Sequence, residues 1–135
     1  MANIRNFVFD LLKNDTVLNQ LGLNEGVMYN SNDADTPNVR PFMVLRWGAT
    51  AAGMDVVKQR TLQVWVHDQP SDYTVIDSAL ERVRDVFANV VGNDIGDTIK
   101  WVLQIDWALE SDDLADDVQN TVARYAEFTV VGSAV

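Results

Sequence analysis

"QVWVHDQPSDYTVIDSALERVRDVF", residues 63–87, changes its hydrophobic period part-way along. Just upstream and into it, "RTLQVWVH" sets Leu62, Val64 and Val66 on one side. Thr61, Gln63, Trp65 and His67 fall on the other, which is the period of two of a strand with two different faces. After "DQPSD" the spacing becomes 3.6. Ile76, Leu80, Val83, Phe87 and Val90 then line one face of the chain's longest helix, which is expected to end at Gly92, with Ser71 or Asp72 placed to cap its start. A strand handed to a long amphipathic helix by a short polar turn is the central unit of the fold, and its neighbours decide the rest.

The same stretch holds the single histidine, His67, next to Asp68. Adjacent residues of a strand project to opposite faces, so the two do not make a catalytic dyad. A triad would need a serine on a strained strand-to-helix turn. The serines instead stand in "NSND", "PSDY", "DSAL", "ESDD" and "GSAV", which are not nucleophile elbows. "GATAAG" lacks the Lys-Ser/Thr of a phosphate loop. Asp106 and Glu110 lie four residues apart in an extended segment, roughly 13 Å, too far to share one metal ion. Asp112, Asp113, Asp116 and Asp117 lack the spacing and terminal Glu of a calcium loop, and read as an exposed acidic surface with weak divalent-cation affinity at most. No catalytic, cofactor-binding or metal-binding set is expected, and the chain is read as a non-enzyme.

Upstream, Ile4, Phe7, Val8, Leu11 and Leu12 form the apolar stripe of a first helix, with Asn3 as its N-cap. "DTVLNQLG" is a further helical turn from Asp15 to Gly22, the residue type that most easily takes a left-handed conformation after a helix. "VMY" at 27–29 is a short strand, and the polar "NSNDADTPNV" a surface loop. "PFMVLRW" is dense in strand formers, with Pro41 at its opening. "GATAAGMDVVKQ" has small residues and no clear period, and is read as a loop, a flap or a hairpin arm.

Downstream, "WVLQIDWAL" alternates. Trp101, Leu103, Ile105, Trp107 and Leu109 are expected on one face, and Val102, Gln104, Asp106 and Ala108 on the other. It is joined to a last strand, "TVARYAEFTVV", by the acidic "ESDDLADDVQN" in an antiparallel hairpin. The order α, β, β, β, α, β, β predicts an α+β fold: a mainly antiparallel sheet of about four or five strands with two main helices packed on one face. Residues 1–135 are read as a single domain, with a flexible arm at about 48–59 and an acidic loop at about 111–120.

Composition narrows the function. The chain of 135 residues is 47% hydrophobic, enough for one packed core. Its formal charge of −10 repels phosphate backbones and anionic lipid, which argues against specific nucleic-acid or membrane binding. Without cysteine there is no disulfide or thiolate chemistry. The opening "MANIRNFVFDLLKND" is interrupted by Asp10 and is not a secretory signal, so a cytoplasmic site of synthesis and use is expected.

The series of segments carries a resemblance. The N-terminal helix with "LL", the turn ending "LNQLG", "PFMVLRW", the small-residue loop, "RTLQVWVHD", the long helix and the hairpin ending "ARYAEFTVV" together resemble the tail terminator, or tail completion, proteins of long-tailed bacteriophages, over roughly residues 4–131. The acidic "ESDDLADD" connection has no counterpart in that pattern. The resemblance implies a structural virion protein at the neck of the tail, present in the host cytoplasm during assembly. It implies a homo-hexameric ring that caps the head-proximal end of the tail tube, ends tube polymerisation and meets the head-tail connector or head-closure protein. Met54, Val56, Val57 and Lys58 of the arm are then candidates for the subunit interface, and Asp112, Asp113, Asp116 and Asp117 for an acidic channel or loop surface. Another neck component, a head-closure or adaptor protein, shares the same pattern. A small-ligand module would instead require a deep pocket containing His67 and a carboxylate.

Overall fold

The strand that ends at His67 and Asp68 lies at the middle of the sheet. In the computed structural model, which describes residues 4–23, 28–29, 40–52, 57–70, 73–89, 102–117 and 120–133, the order is α1 (Ile4–Lys13), α2 (Thr16–Gln20), β1 (Met28–Tyr29), β2 (Phe42–Ala52), β3 (Val57–Asp68), α3 (Thr74–Ala88), β4 (Val102–Glu110), β5 (Leu114–Asp116) and β6 (Thr121–Ser133). The six strands form one sheet in the order β1-β2-β3-β6-β4, with β5 also pairing β6. Only the short β1–β2 pair is parallel, and the rest is antiparallel. The fold is α+β.

Opposed residues share a face of the sheet, and the ladders therefore sort the side chains. Leu45, Val64 and Ala126 stand in one row, and Trp47, Leu62, Phe128 and Trp107 in another. These belong to the face covered by helices. Ile76, Ala79, Leu80, Val83 and Phe87 of α3 are buried against it, and Val8, Leu12 and Leu18 of α1 and α2 complete the core. Phe87 meets Phe128 edge-on at 4.8 Å between ring centroids. Burying a side chain of this size stabilises the fold by about 1.5–3 kcal/mol, and the stripe read at 3.6 spacing is the one that is buried.

The segment read as a loop, a flap or a hairpin arm pairs as the last of these, and the segment read as an acidic loop carries a short strand. Within 48–59, β2 continues to Ala52 and β3 begins at Val57, joined by the pairs Thr50↔Arg60, Ala51↔Gln59 and Ala52↔Lys58. β3 is also paired on its other side, from Val57↔Ser133 onward, so its start is an internal strand of the sheet. Small residues leave no apolar period there, but backbone hydrogen bonds do not need one. Within 111–120, Leu114–Asp116 pairs Ala123–Thr121 as β5.

The expected single apolar face of β4 is corrected by its bulges. The ladder to β6 shifts between Val102 and Gln104 and again between Trp107 and Leu109. A bulge opposes two residues to one and reverses the alternation beyond it. Trp107 thus lies opposite Phe128 and Leu109 opposite Glu127, on different faces. Ile105 is buried, whereas Trp107 and Leu109 are each 41% exposed on this outer strand. Trp101 lies outside the described residues.

The caps also differ in part. Asp15 caps α2 as read, accepting from the Leu18 amide at 3.0 Å, and Gly22 takes φ of +94°. At α3 the N-cap is Tyr73, without a side-chain cap bond. Asn3, Ser71, Asp72, Val90 and Gly92 lie outside the described residues.

Candidate assembly surfaces

His67 is seated as a structural side chain. It is 7% exposed, its ring stacks on Phe42 at 4.5 Å between centroids, and Nδ1 lies 2.9 Å from the Thr121 hydroxyl. Burial, reinforced by the positive charge of Arg40 and opposed by Asp116, lowers its pKa to about 4. The Asp68 carboxylate instead accepts from the Gln69 amide at 2.7 Å. Clefts among the described residues lie elsewhere on the surface. One of about 430 Å³ lies between α1 and α3, bordered by Phe7, Leu11, Asp15 and Arg82, and one of about 220 Å³ lies beside Trp47 and Gly48. Neither is lined by His67. Among the described residues no three His, Cys, Asp or Glu side chains gather as a metal site. Also among them, no helix is long and apolar enough to cross a membrane.

The acidic residues are distributed around Arg124. This β6 side chain reaches Asp77 of α3 at 2.6 Å, donates to the Ser111 carbonyl at 3.2 Å and stands 3.7 Å from Asp113. Tyr73 donates to the Leu114 carbonyl at 3.2 Å, tying the start of α3 to β5. Asp112, Asp113 and Asp117 are exposed, and Asp116, in β5, is half-buried. The four carboxylates thus occupy one corner of the sheet, at the end of β6 opposite to the arm.

Of the arm candidates, Met54 and Val56 lie outside the described residues, while Val57 and Lys58 belong to β3. The structure does not bring Val57 and Lys58 to the acidic corner. Val57 pairs Ser133 at one end of the β3–β6 ladder, and Asp68 pairs Val122 at the other.

The sheet face away from the helices carries an ordered polar ladder. Trp65 stacks on Tyr125 at 4.5 Å, and its indole N–H donates to Gln63, whose amide donates to Glu127 at 3.1 Å. Arg46 lies 5.5 Å from the Trp65 ring centroid. On the helix face, the guanidinium groups of Arg5 and Arg60 share the Trp47 indole at 5.8 and 4.8 Å. The Arg60 Nε is buried without a hydrogen-bond partner among the described residues. Burial, and then the like charge of Arg5, hold this guanidinium below its ordinary pKa.

This concentration of arginine on the β2 side escaped the reading by motif. A signal was present in the spacing of charge along the chain: Arg5, Arg40, Arg46, Lys58 and Arg60 all precede residue 61, while Asp106, Glu110, Asp112, Asp113, Asp116 and Asp117 cluster within twelve residues.

No protein-family model matches the chain, and no curated protein matches it in sequence. Among solved structures it is similar to a chain of the virion of a native gene transfer agent particle. The TM-score is 0.71 at 14% sequence identity, over 97% of this chain and 95% of that one. At that identity the likeness establishes a shared fold.

Proposed function

We propose that the chain is a non-enzymatic structural protein of a phage-like particle, and that within it six copies form the terminator ring. The ring caps the head-proximal end of the tail tube, ends its polymerisation and meets the head connector or head-closure protein at the neck of the virion. The observation that carries the reading is the fold shared, over nearly the full length of both chains, with a component of a gene transfer agent virion. The seating of His67 supports it as well, since that ring is engaged in packing and a hydroxyl contact instead of facing a cleft.

In this ring, Met54, Val56, Val57 and Lys58 contribute to the contact between neighbours. Asp112, Asp113, Asp116 and Asp117 give an acidic surface. With each copy at a formal −10, six copies surround the axis with negative charge, so DNA passes such a wall without adhering.

The test joins mass measurement and negative-stain imaging of the purified protein, over a range of concentrations, to a tube-length assay with the cognate tail tube protein. Six-fold rings with an open centre, together with tubes that stop growing when the protein is added, are expected. Rings that bind connector but leave tube growth unchanged would place the protein at the head side of the neck and overturn the terminator assignment.

A further inference from the structure

The two long edges of the sheet carry opposite charge. Beyond the two residues paired with β1, β2 has no outer partner among the described residues, and neither does β4. The β2 edge carries Arg46 on the open face. On the helix face it carries the Arg5–Trp47–Arg60 group, whose Arg60 Nε is buried and unpaired among the described residues. The β4 edge carries Asp106 and Glu110. It also carries Trp107 and Leu109, two of the three large apolar side chains that are exposed among the described residues.

The ladders put these features at matching heights. Trp47, Leu62, Phe128 and Trp107 form one continuous row across the sheet, and Arg46, Gln63, Glu127 and Leu109 form the next. β2 and β4 also run in opposite directions. A second copy translated sideways therefore meets the β2 edge with its own β4 edge at the same level, indole beside indole and Arg46 beside Leu109, with Asp106 at the neighbouring position of the open face and Glu110 at the neighbouring position of the helix face.

We propose that the β2 edge of one copy receives the β4 edge of a second copy of this chain. Arg46 then faces Asp106 of the second copy on the open face, Arg5 over Trp47 is on the same face as Glu110, and Trp107 and Leu109 are covered between them. The contact is heterologous: each copy offers one edge and accepts the other, the arrangement that closes into a ring when the rotation per step divides a full turn. This rests on the ring reading and supplies its interface. Opposite charges brought together as water leaves the edge give both orientation and attraction, and like charges there are repelled.

A charge-swap experiment tests it, read by sedimentation and native mass measurement. One variant combines Arg5→Glu with Arg46→Glu, and the other combines Asp106→Lys with Glu110→Lys. The first pair and the last are exposed or half-buried positions, so circular dichroism should report an unchanged fold. Each variant alone should associate at least about tenfold more weakly than the wild type. An equimolar mixture should restore assembly, with the two variants in equal number, because every edge then meets its complement. Trp107→Ala should weaken wild-type association without changing the monomer's secondary structure. Variants that assemble alone like the wild type, or a mixture that stays dissociated while the wild type forms rings, would overturn the interface and leave the ring standing. A wild type that remains monomeric at every concentration would overturn both.

Discussion

The Arg82 guanidinium grips the Asp15 carboxylate across 67 residues of sequence, with contacts of 3.2 and 3.0 Å from Nε and 2.7 Å from Nη2. Asp15 is also the N-cap of α2, so one carboxylate starts a short helix and fastens it to α3. A five-residue helix is not stable by itself. Its hold on α3 comes from this pair and from buried Leu18. The Arg82 hydrogen bond holds the Asp15 carboxyl below its ordinary pKa. Asp15→Ala should lower stability by at least about 1 kcal/mol through the cap alone. Arg82→Met should act in the same direction, and the double variant should cost less than the sum of the two. Urea denaturation of the four proteins at neutral pH measures the coupling, and strict additivity would show the pair to be energetically idle.

Stability should depend on pH through His67. The unfolded imidazole titrates near 6.5, and the folded one remains neutral down to about 4. Between these values the unfolded chain holds the extra proton. The stabilisation is therefore complete above pH 6.5 and is lost progressively as pH falls toward 4. The interval corresponds to about 3 kcal/mol. Denaturant midpoints at pH 7.5 and 5 should separate more in the wild type than in His67→Gln. Equal separation in both proteins would assign the lost stability to other groups. Ring formation at neutral pH should be unchanged in His67→Ala, since the side chain is covered within its own subunit.

Backbone conformation makes two further positions sensitive. At Gly22, with φ of +94°, a Cβ would meet Pro41 Cδ at 3.6 Å, an ordinary van der Waals contact without a clash. The cost of Gly22→Ala is then conformational, about 1–2 kcal/mol. Asn120 also has positive φ, at 54°. Asn120→Gly should be nearly neutral and Asn120→Val destabilising, as read by thermal unfolding. A tolerated valine would contradict the left-handed assignment.

Phe128→Ala removes one ring of an edge-to-face pair at a site 1% exposed, and should cost about 3–5 kcal/mol. Trp107→Ala, one ladder position away in the same row, should cost much less in the monomer, because its indole is 41% exposed and rests under Arg84 at 4.0 Å. Comparison of the two midpoints separates core from edge. Equal losses would mean that Trp107 belongs to the core after all.

The parts of the fold legible in sequence are those where burial is one-sided. In α3 and β3 the core face is apolar and the other is not, so spacing alone finds Leu62, Val64, Val66, Leu80 and Val83. The bulges of β4 leave no such mark: an extra residue changes the face without changing the composition, and an alternating "IDWAL" reads as regular. β5 was hidden because a three-residue strand with one leucine amid aspartates owes its place to backbone pairing with β6. Charge partners behave likewise. The i,i+3 spacing pairs Arg82 with Asp85 and Arg84 with Glu81, whereas the fold turns Arg82 to Asp15 and lays Arg84 on Trp107. The acidic corner was visible as letters, but the Arg5–Trp47–Arg60 group exists only once α1, β2 and β3 meet.

The β3–β6 ladder has twelve registered pairs from Val57↔Ser133 to Asp68↔Val122, a span of about 40 Å at 3.4 Å per residue. Mechanically these two strands are a strut joining the arm end of the molecule to its acidic corner. A pull along the strut strains all its hydrogen bonds together in shear, where rupture demands that many break at once. A pull across it would peel them one at a time. The molecule should therefore resist force far better along this strand direction than across it.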